Sequence, residues 1–192
     1  MNLEELRNDI IIKQKKGLPF IIVSVLIWTM IFFVYTLNIS IEFKNILAFC
    51  CSTPLLPLSW MIGKKMGVDI FSKENELSHL GFLFTMNQIL YLLIVMWVFN
   101  ALPSKMVMVY AMVFGAHLLP YSWLYKSKSY KLFAIIIPIL ALVIGNLFSG
   151  VVVAGIVAVT ELIFVFILQK EVRIFKNKDH KSQLVELNKI YY

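Results

Sequence analysis

Apolar residues run along the chain in six long blocks separated by short polar stretches, at residues 18–37, 46–62, 80–102, 106–125, 132–148 and 151–168. At 1.5 Å per helical residue, each block reaches or nearly reaches across the ~30 Å of hydrocarbon in a bilayer. The pattern predicts an all-α polytopic integral membrane bundle of six transmembrane helices. Residues 1–17 form an interfacial segment, 18–168 the transmembrane domain, and 169–192 a basic tail. In the first segment Leu3, Leu6 and Ile10 share one helical face, with Glu4, Glu5 and Asp9 early and Lys13, Lys15 and Lys16 late. That order suits the helix dipole and an anionic membrane surface, so a short interfacial helix is expected before Gly17 and Pro19.

Within the blocks, Pro54 and Pro57 each remove a backbone donor from span two, which must be kinked or locally unwound. The loop at 63–79 is polar, with Asp69, Lys73, Glu74 and Glu76, and Ser78 is the expected N-cap of span three. Ala141, Gly145 and Ser149 recur every four residues on span five, as do Gly150, Ala154 and Ala158 on span six. Small residues at that spacing allow close backbone approach, so the last two spans are expected to form a tight hairpin. In the tail, Leu184, Leu187 and Tyr191 offer a second weak interfacial stripe.

Composition agrees: 60% of residues are hydrophobic, 15% are charged, and mean hydropathy is +0.81, outside the range of soluble domains. The net charge of +7 would suit nucleic acid, but its distribution excludes that partner. With alternating spans, 16 of the 18 basic residues fall on the side of the two termini, and only Lys44 and Lys105 fall on the other. The positive-inside rule then places both termini in the cytoplasm, facing an anionic inner leaflet. Trp60, Tyr121, Trp123 and Tyr125 near one interface and Tyr35, Trp97 and Tyr110 toward the other fit this topology, with Trp28 at mid-depth. The first block is long enough to remain as a signal anchor, with no small-residue cleavage site after it. Cys50 and Cys51 are adjacent and intramembrane, which offers neither a disulfide framework nor a metal spacing.

Leu-Leu-Pro-Leu-Ser-Trp at 55–60 and Leu-Leu-Pro-Tyr-Ser-Trp at 118–123 agree at five of six positions. Either the copies reflect a duplicated helical hairpin, or both solve the problem of kinking and anchoring a helix at the inner interface. At the offset of the repeat, His117 has Pro54 as its counterpart. Depth singles out a polar layer: Asn87, Gln88, His117 and Glu161 all lie roughly 10–12 Å below the inner boundary at 1.5 Å per residue. Glu161 is the one acid inside any span. Its candidate partners are His117, Asn87, Gln88, a cation or its own proton. The structural alternative is a protonated Glu161 donating to the Ala134 carbonyl that Pro138 frees. His117 alone reads as readily as a core histidine among Tyr110, Phe114 and Tyr121, and Gly81, Thr85 and Gln88 as an interhelical hydrogen-bonding seam.

No catalytic, cofactor or metal motif is present, and an intramembrane enzyme using Glu161 and His117 as acid and base is the lesser reading. The leading one is a transporter or channel-like protein for a small molecule or cation. Its pocket, lined by Asn87, Gln88, His117 and Glu161, would face the cytoplasm, with Pro54, Pro57, Pro120 and Pro138 as hinges. A homodimer suits so small a transporter. The alternative is a non-transporting membrane subunit or immunity-type protein that binds a partner through its basic loops and the segment 63–79.

The run Val68-Asp69-Ile70-Phe71-Ser72-Lys73-Glu74-Asn75, the pair Asn87-Gln88 with the apolar stretch at 91–99, and Gly115-Ala116-His117-Leu118-Leu119-Pro120-Tyr121 resemble a family of small bacterial membrane proteins known as a domain of unknown function. Glu4-Glu5-Leu6-Arg7 and Lys13-Gln14-Lys15-Lys16-Gly17-Leu18-Pro19 are similar as well, so that the likeness covers roughly residues 1–150. The resemblance implies a bacterial source and six spans, and supplies no activity.

Overall fold

The computed structural model describes residues 2–70 and 75–190, with side chains of the last helix described to residue 178. Lys73, Glu74, Leu184, Leu187 and Tyr191 therefore lie outside the described side chains. The chain forms α1 (Leu3–Gln14), α2 (Leu18–Thr36), α3 (Ile41–Ser52), α4 (Leu55–Lys65), α5 (Leu77–Ala101), α6 (Met106–Ala116), α7 (Leu119–Leu124), α8 (Lys128–Leu147) and α9 (Gly150–Ile190). Single 3₁₀ turns occupy Lys15–Gly17 and Pro103–Lys105. Among the described residues six helical stretches are long and apolar enough to cross a membrane: Leu3–Thr36, Ile41–Lys65, Leu77–Ala101, Pro103–Leu124, Lys128–Leu147 and Gly150–Lys178. The basic end of the bundle holds α1, the loop after α4 and the long extension of α9. The far end holds the turns at 37–40, 102–105 and 148–149.

Two of the spans are built from half-helices. Span two breaks after Ser52, and Pro54 sits at the N-cap of α4 with Pro57 in its first turn. Span four breaks at His117 and Leu118, and Pro120 lies in the first turn of α7. First-turn amides have no intrahelical acceptor, so proline is tolerated there and its fixed φ favours a new start. Both copies of Leu-Leu-Pro-x-Ser-Trp thus open a half-helix. Pro138 behaves differently, because α8 continues through it. Its ring packs into the notch left by Gly115, where an added Cβ would stand 2.5 Å from the proline Cδ.

The last two spans pack against each other as the expected hairpin, but each has a more extensive neighbour elsewhere. α9 makes its most extensive contact with α2, and α8 makes its own with α6. The small residues explain this. A Cβ on Gly150 would meet the Tyr35 ring of α2 at 2.6 Å, one on Gly155 would meet Phe32 of α2 at 3.1 Å, and one on Gly145 would strike Met108 of α6. A glycine stripe in the sequence permits close approach, and the side chain that fills each notch on the facing helix decides the neighbour. Between these pairs, Trp28 is fully buried against Tyr110 and Phe114.

α1 forms where it is expected, before Gly17 and Pro19, and is docked on the basic end of the bundle. Ile10 and Ile11 are buried in the core cluster. Lys126 pairs with Glu4 and bonds Asn8 at 2.8 Å; Arg7 donates to the Trp123 carbonyl and stacks 4.6 Å over its ring; Asn75 donates to the Leu6 carbonyl and to Asp9. Asn75 also accepts from the amide of Leu77, so α5 starts one residue before Ser78.

Candidate functional site

Glu161 is completely buried on α9, and it faces α2. Its Oε2 contacts the hydroxyl of Ser24, itself buried, while Oε1 has no hydrogen-bond partner. The Ser24 hydroxyl also donates to the Ile21 carbonyl at 2.8 Å. A serine hydroxyl has one proton to give. Both bonds are therefore made together when Glu161 carries a proton and donates to Ser24. Without that proton, the serine must turn its own hydrogen from Ile21 to the carboxylate. The site is thus a two-position arrangement for one proton, in surroundings where an unpaired charge is costly.

Of the four residues expected in one layer, the structure leaves three apart from Glu161. His117 is half-buried at the end of α6, where its Nδ1 donates to the carbonyl of Phe114 and its ring packs between Phe114 and Tyr121. Asn87 is exposed and Gln88 half-buried on α5, which packs on α6, α7 and α1. The expected Gly81–Thr85 seam forms: Tyr121 bonds the Thr85 hydroxyl at 2.8 Å and the Gly81 carbonyl at 3.2 Å, without Gln88. The Ala134 carbonyl is not the partner of Glu161 either; Ser24 is. Equal depth along helices does not set the angle each helix presents, and no hydrogen bond joins these four side chains among the described residues.

Sequence reasoning missed Ser24, although it lies 6 residues inside span one while Glu161 lies 7 inside span six. A small hydroxyl was simply outweighed by larger polar groups. It also missed a second buried cluster, reached from Glu161 by moving 10 residues along α9, or about 15 Å. There Glu171 accepts from the Ser127 hydroxyl at 2.7 Å, from the Lys128 amide at 3.1 Å and from Ser129, and pairs with Lys16 at 3.2 Å. Burial raises the Glu171 carboxyl, but Ser129, Ser127 and Lys16 outweigh it and leave the group below its ordinary value. Burial lowers the Lys16 ammonium, and Glu171 opposes that only in part.

Lys15, Lys16 and Gly17 are all left-handed, with φ of 47°, 54° and 68°, which for the two lysines is unfavourable by about 1–2 kcal/mol each. Tyr130 holds the strained turn by donating to the Lys16 carbonyl at 2.8 Å, and Lys15 bonds the Met66 carbonyl. The Tyr130 ring packs edge-on against Phe164, which lies on α9 between Glu161 and Glu171, with centroids 5.0 Å apart. Around it Tyr121, Tyr125, Tyr130 and Phe164 pack ring to ring with centroids 5.0–6.0 Å apart. A buried acid, a tyrosine and a second carboxyl near the basic end thus follow one another along the α2–α8–α9 interface. Among the described residues no cluster of three or more His, Cys, Asp or Glu could hold a metal ion.

A family model described as a family of unknown function (DUF7010) matches residues 3–171. The match passes beyond the likeness at 1–150 and takes in both Glu161 and Glu171. No curated protein and no solved structure matches the chain.

Proposed function

The chain belongs to this family of unknown function, and from its own geometry we propose a proton-coupled transporter of a small molecule or cation in a bacterial cytoplasmic membrane, basic end inward. The observation that carries this reading is Glu161, a fully buried acid with one oxygen on Ser24 and the other unpartnered. Intramembrane ionisable groups are expensive, and they commonly mark proton or ion pathways. Protonated, Glu161 is satisfied by Ser24 and the α2–α9 interface closes. Once it loses its proton the bare carboxylate favours an arrangement that admits water or a cation between α2 and α9. The broken spans two and four supply deformable backbone for that change.

Closure at the basic end is consistent with a state turned away from the cytoplasm, since α1 and the Lys16–Glu171 pair cross the ends of several spans. Proteoliposomes carrying a pH dye inside test the reading, with a panel of cations and small metabolites outside. Wild-type protein should move protons with at least one member of the panel, and Glu161→Gln should not. Proton movement unchanged in Glu161→Gln would refute the proposal.

One observation favours the second reading, a non-transporting subunit or immunity-type protein. Asn87 is exposed on α5 between Leu83, Leu90 and Ile94, all exposed as well. An amide facing lipid gains from a partner helix, of which a second copy is one candidate. Under this reading Asn87→Leu, not Glu161→Gln, abolishes the phenotype.

A further inference from the structure

The three far-end turns converge on a cavity of about 340 Å³ lined by residues that include Lys44, Ser104, Lys105, Ser149, Gly150 and Val151. Its frame is a chain of hydrogen bonds across separate elements. Tyr35 donates to Asn45, which is fully buried, and Asn45 donates to the Pro103 carbonyl at 2.9 Å. The lysines are the same two that the charge distribution leaves alone on this side of the bundle. Lys44 donates to the Tyr35 carbonyl at 3.1 Å, and Lys105 donates to the Gly145 carbonyl at 2.7 Å.

These carbonyls end α2 and α8, so each lysine has an ordinary structural reason to be there, as a cation at a helix C-terminus. That accounts for one donor of each ammonium and offsets its charge only in part. An ammonium has three donors, and neither lysine has a carboxylate partner among the described residues. Glu42, the one far-end acid, is exposed and does not line the cavity. α9 adds to the same field, because its ladder begins with Val152 bonding Ser149 and leaves the amides of Gly150 and Val151 without an intrahelical acceptor. Gly150 is held tight against Tyr35, which brings this helix start to the cavity wall.

We propose that this far-end cavity binds a phosphate group, through Lys44, Lys105 and the adjoining serine hydroxyls. Two ammonium groups without carboxylates, hydroxyl donors and free amides suit a multiply charged oxyanion better than a cation or a neutral solute. Its volume falls in the range of small-ligand sites, and a phosphate can arrive either as a soluble anion or as a phospholipid headgroup. The site contains no part of the Glu161 arrangement, and occupancy requires no turnover.

The test uses the full chain in detergent. Inorganic phosphate is titrated against the thermal midpoint and followed by ³¹P line broadening, and native mass spectrometry compares retention of phosphatidylglycerol with that of diacylglycerol. Each charge-assisted contact carries roughly tenfold or more in affinity, so Lys44→Gln and Lys105→Gln should each weaken binding by about that factor. Gln keeps an N–H for the helix carbonyl. Lys44→Arg and Lys105→Arg should retain binding. Ser104→Asp places a carboxylate at an exposed position in the cavity lining, where it competes with an oxyanion for the two ammonium groups, and it should abolish binding in a folded protein. Phosphate binding that is lost in these variants identifies a soluble-anion site. Selective retention of phosphatidylglycerol, lost in the same variants, identifies a headgroup site. Neither probe binding the wild type, or both binding Ser104→Asp as they bind the wild type, overturns the proposal.

Discussion

Replacing Glu161 with leucine should leave the protein as stable as before or more so, while removing its proton chemistry. The magnitude follows from the two carboxyl oxygens. Oε1 is buried without a partner, a condition that costs about 1–3 kcal/mol. Oε2 makes one contact, with Ser24, and a typical net hydrogen bond contributes about 0.5–1.5 kcal/mol. Ser24 loses little when Glu161 goes, because it keeps the Ile21 carbonyl as acceptor. Leucine fills a similar volume with atoms that ask for no partner, so the balance favours the variant by about 0–2 kcal/mol. Glu161→Gln keeps a donor toward Ser24 and the orphaned oxygen, and should stay within about 1 kcal/mol of wild type. Unfolding monitored by tryptophan fluorescence in detergent would show a midpoint raised by about 2–4 °C for each kcal/mol gained, by the scaling for domains of this size. A loss of more than about 2 kcal/mol in the leucine variant, with the glutamine variant unaffected, would show that the polar contact holds α2 to α9, and the reasoning fails.

The other predictions concern packing and the basic end. Gly115→Ala puts a Cβ against Pro138 and Ile137 at 2.5–2.9 Å, where neither neighbour is a flexible chain end, and should destabilise by about 1–3 kcal/mol; an unchanged unfolding midpoint contradicts the α6–α8 packing. Glu171→Gln leaves the Lys16 ammonium, only 2% exposed along its side chain, without its counter-charge and should cost roughly 2–4 kcal/mol. Lys16→Met in the same background should recover part of that loss, read from the same unfolding curves. Glu4, bonded to Lys126, and Glu171 both titrate below the ordinary 4.5. Their folded values lie under their unfolded ones, so their support is complete above about pH 4.5 and fades as pH falls through the folded values. Hydrogen exchange at residues 3–14 should therefore accelerate in acid, and exchange independent of pH after correction for intrinsic rates would contradict the docked position of α1.

The one-dimensional properties of this protein are present in its sequence. Six apolar blocks set six spans because each helix must satisfy its own backbone in lipid. Pro54, Pro57 and Pro120 mark where half-helices start, since a missing amide matters least in a first turn. Glu161 stands out as the lone acid, and the isolation of Lys44 and Lys105 is visible in the charge pattern. What the sequence left open was every azimuth and every pairing. Ser24 rather than His117 met Glu161, α2 rather than α8 received the small face of α9, and Asn87 turned outward. Lys16, in the sequence one of three lysines ahead of span one, became the buried partner of Glu171. Lys44 and Lys105, 61 residues apart, came to share one cavity. Hydrophobicity is graded along a chain and nearly uniform around α2, α5, α6 and α9, so there it drives insertion without ranking neighbours. That ranking came from steric fit at glycines and from hydrogen bonds between distant elements, which exist only once the bundle has assembled.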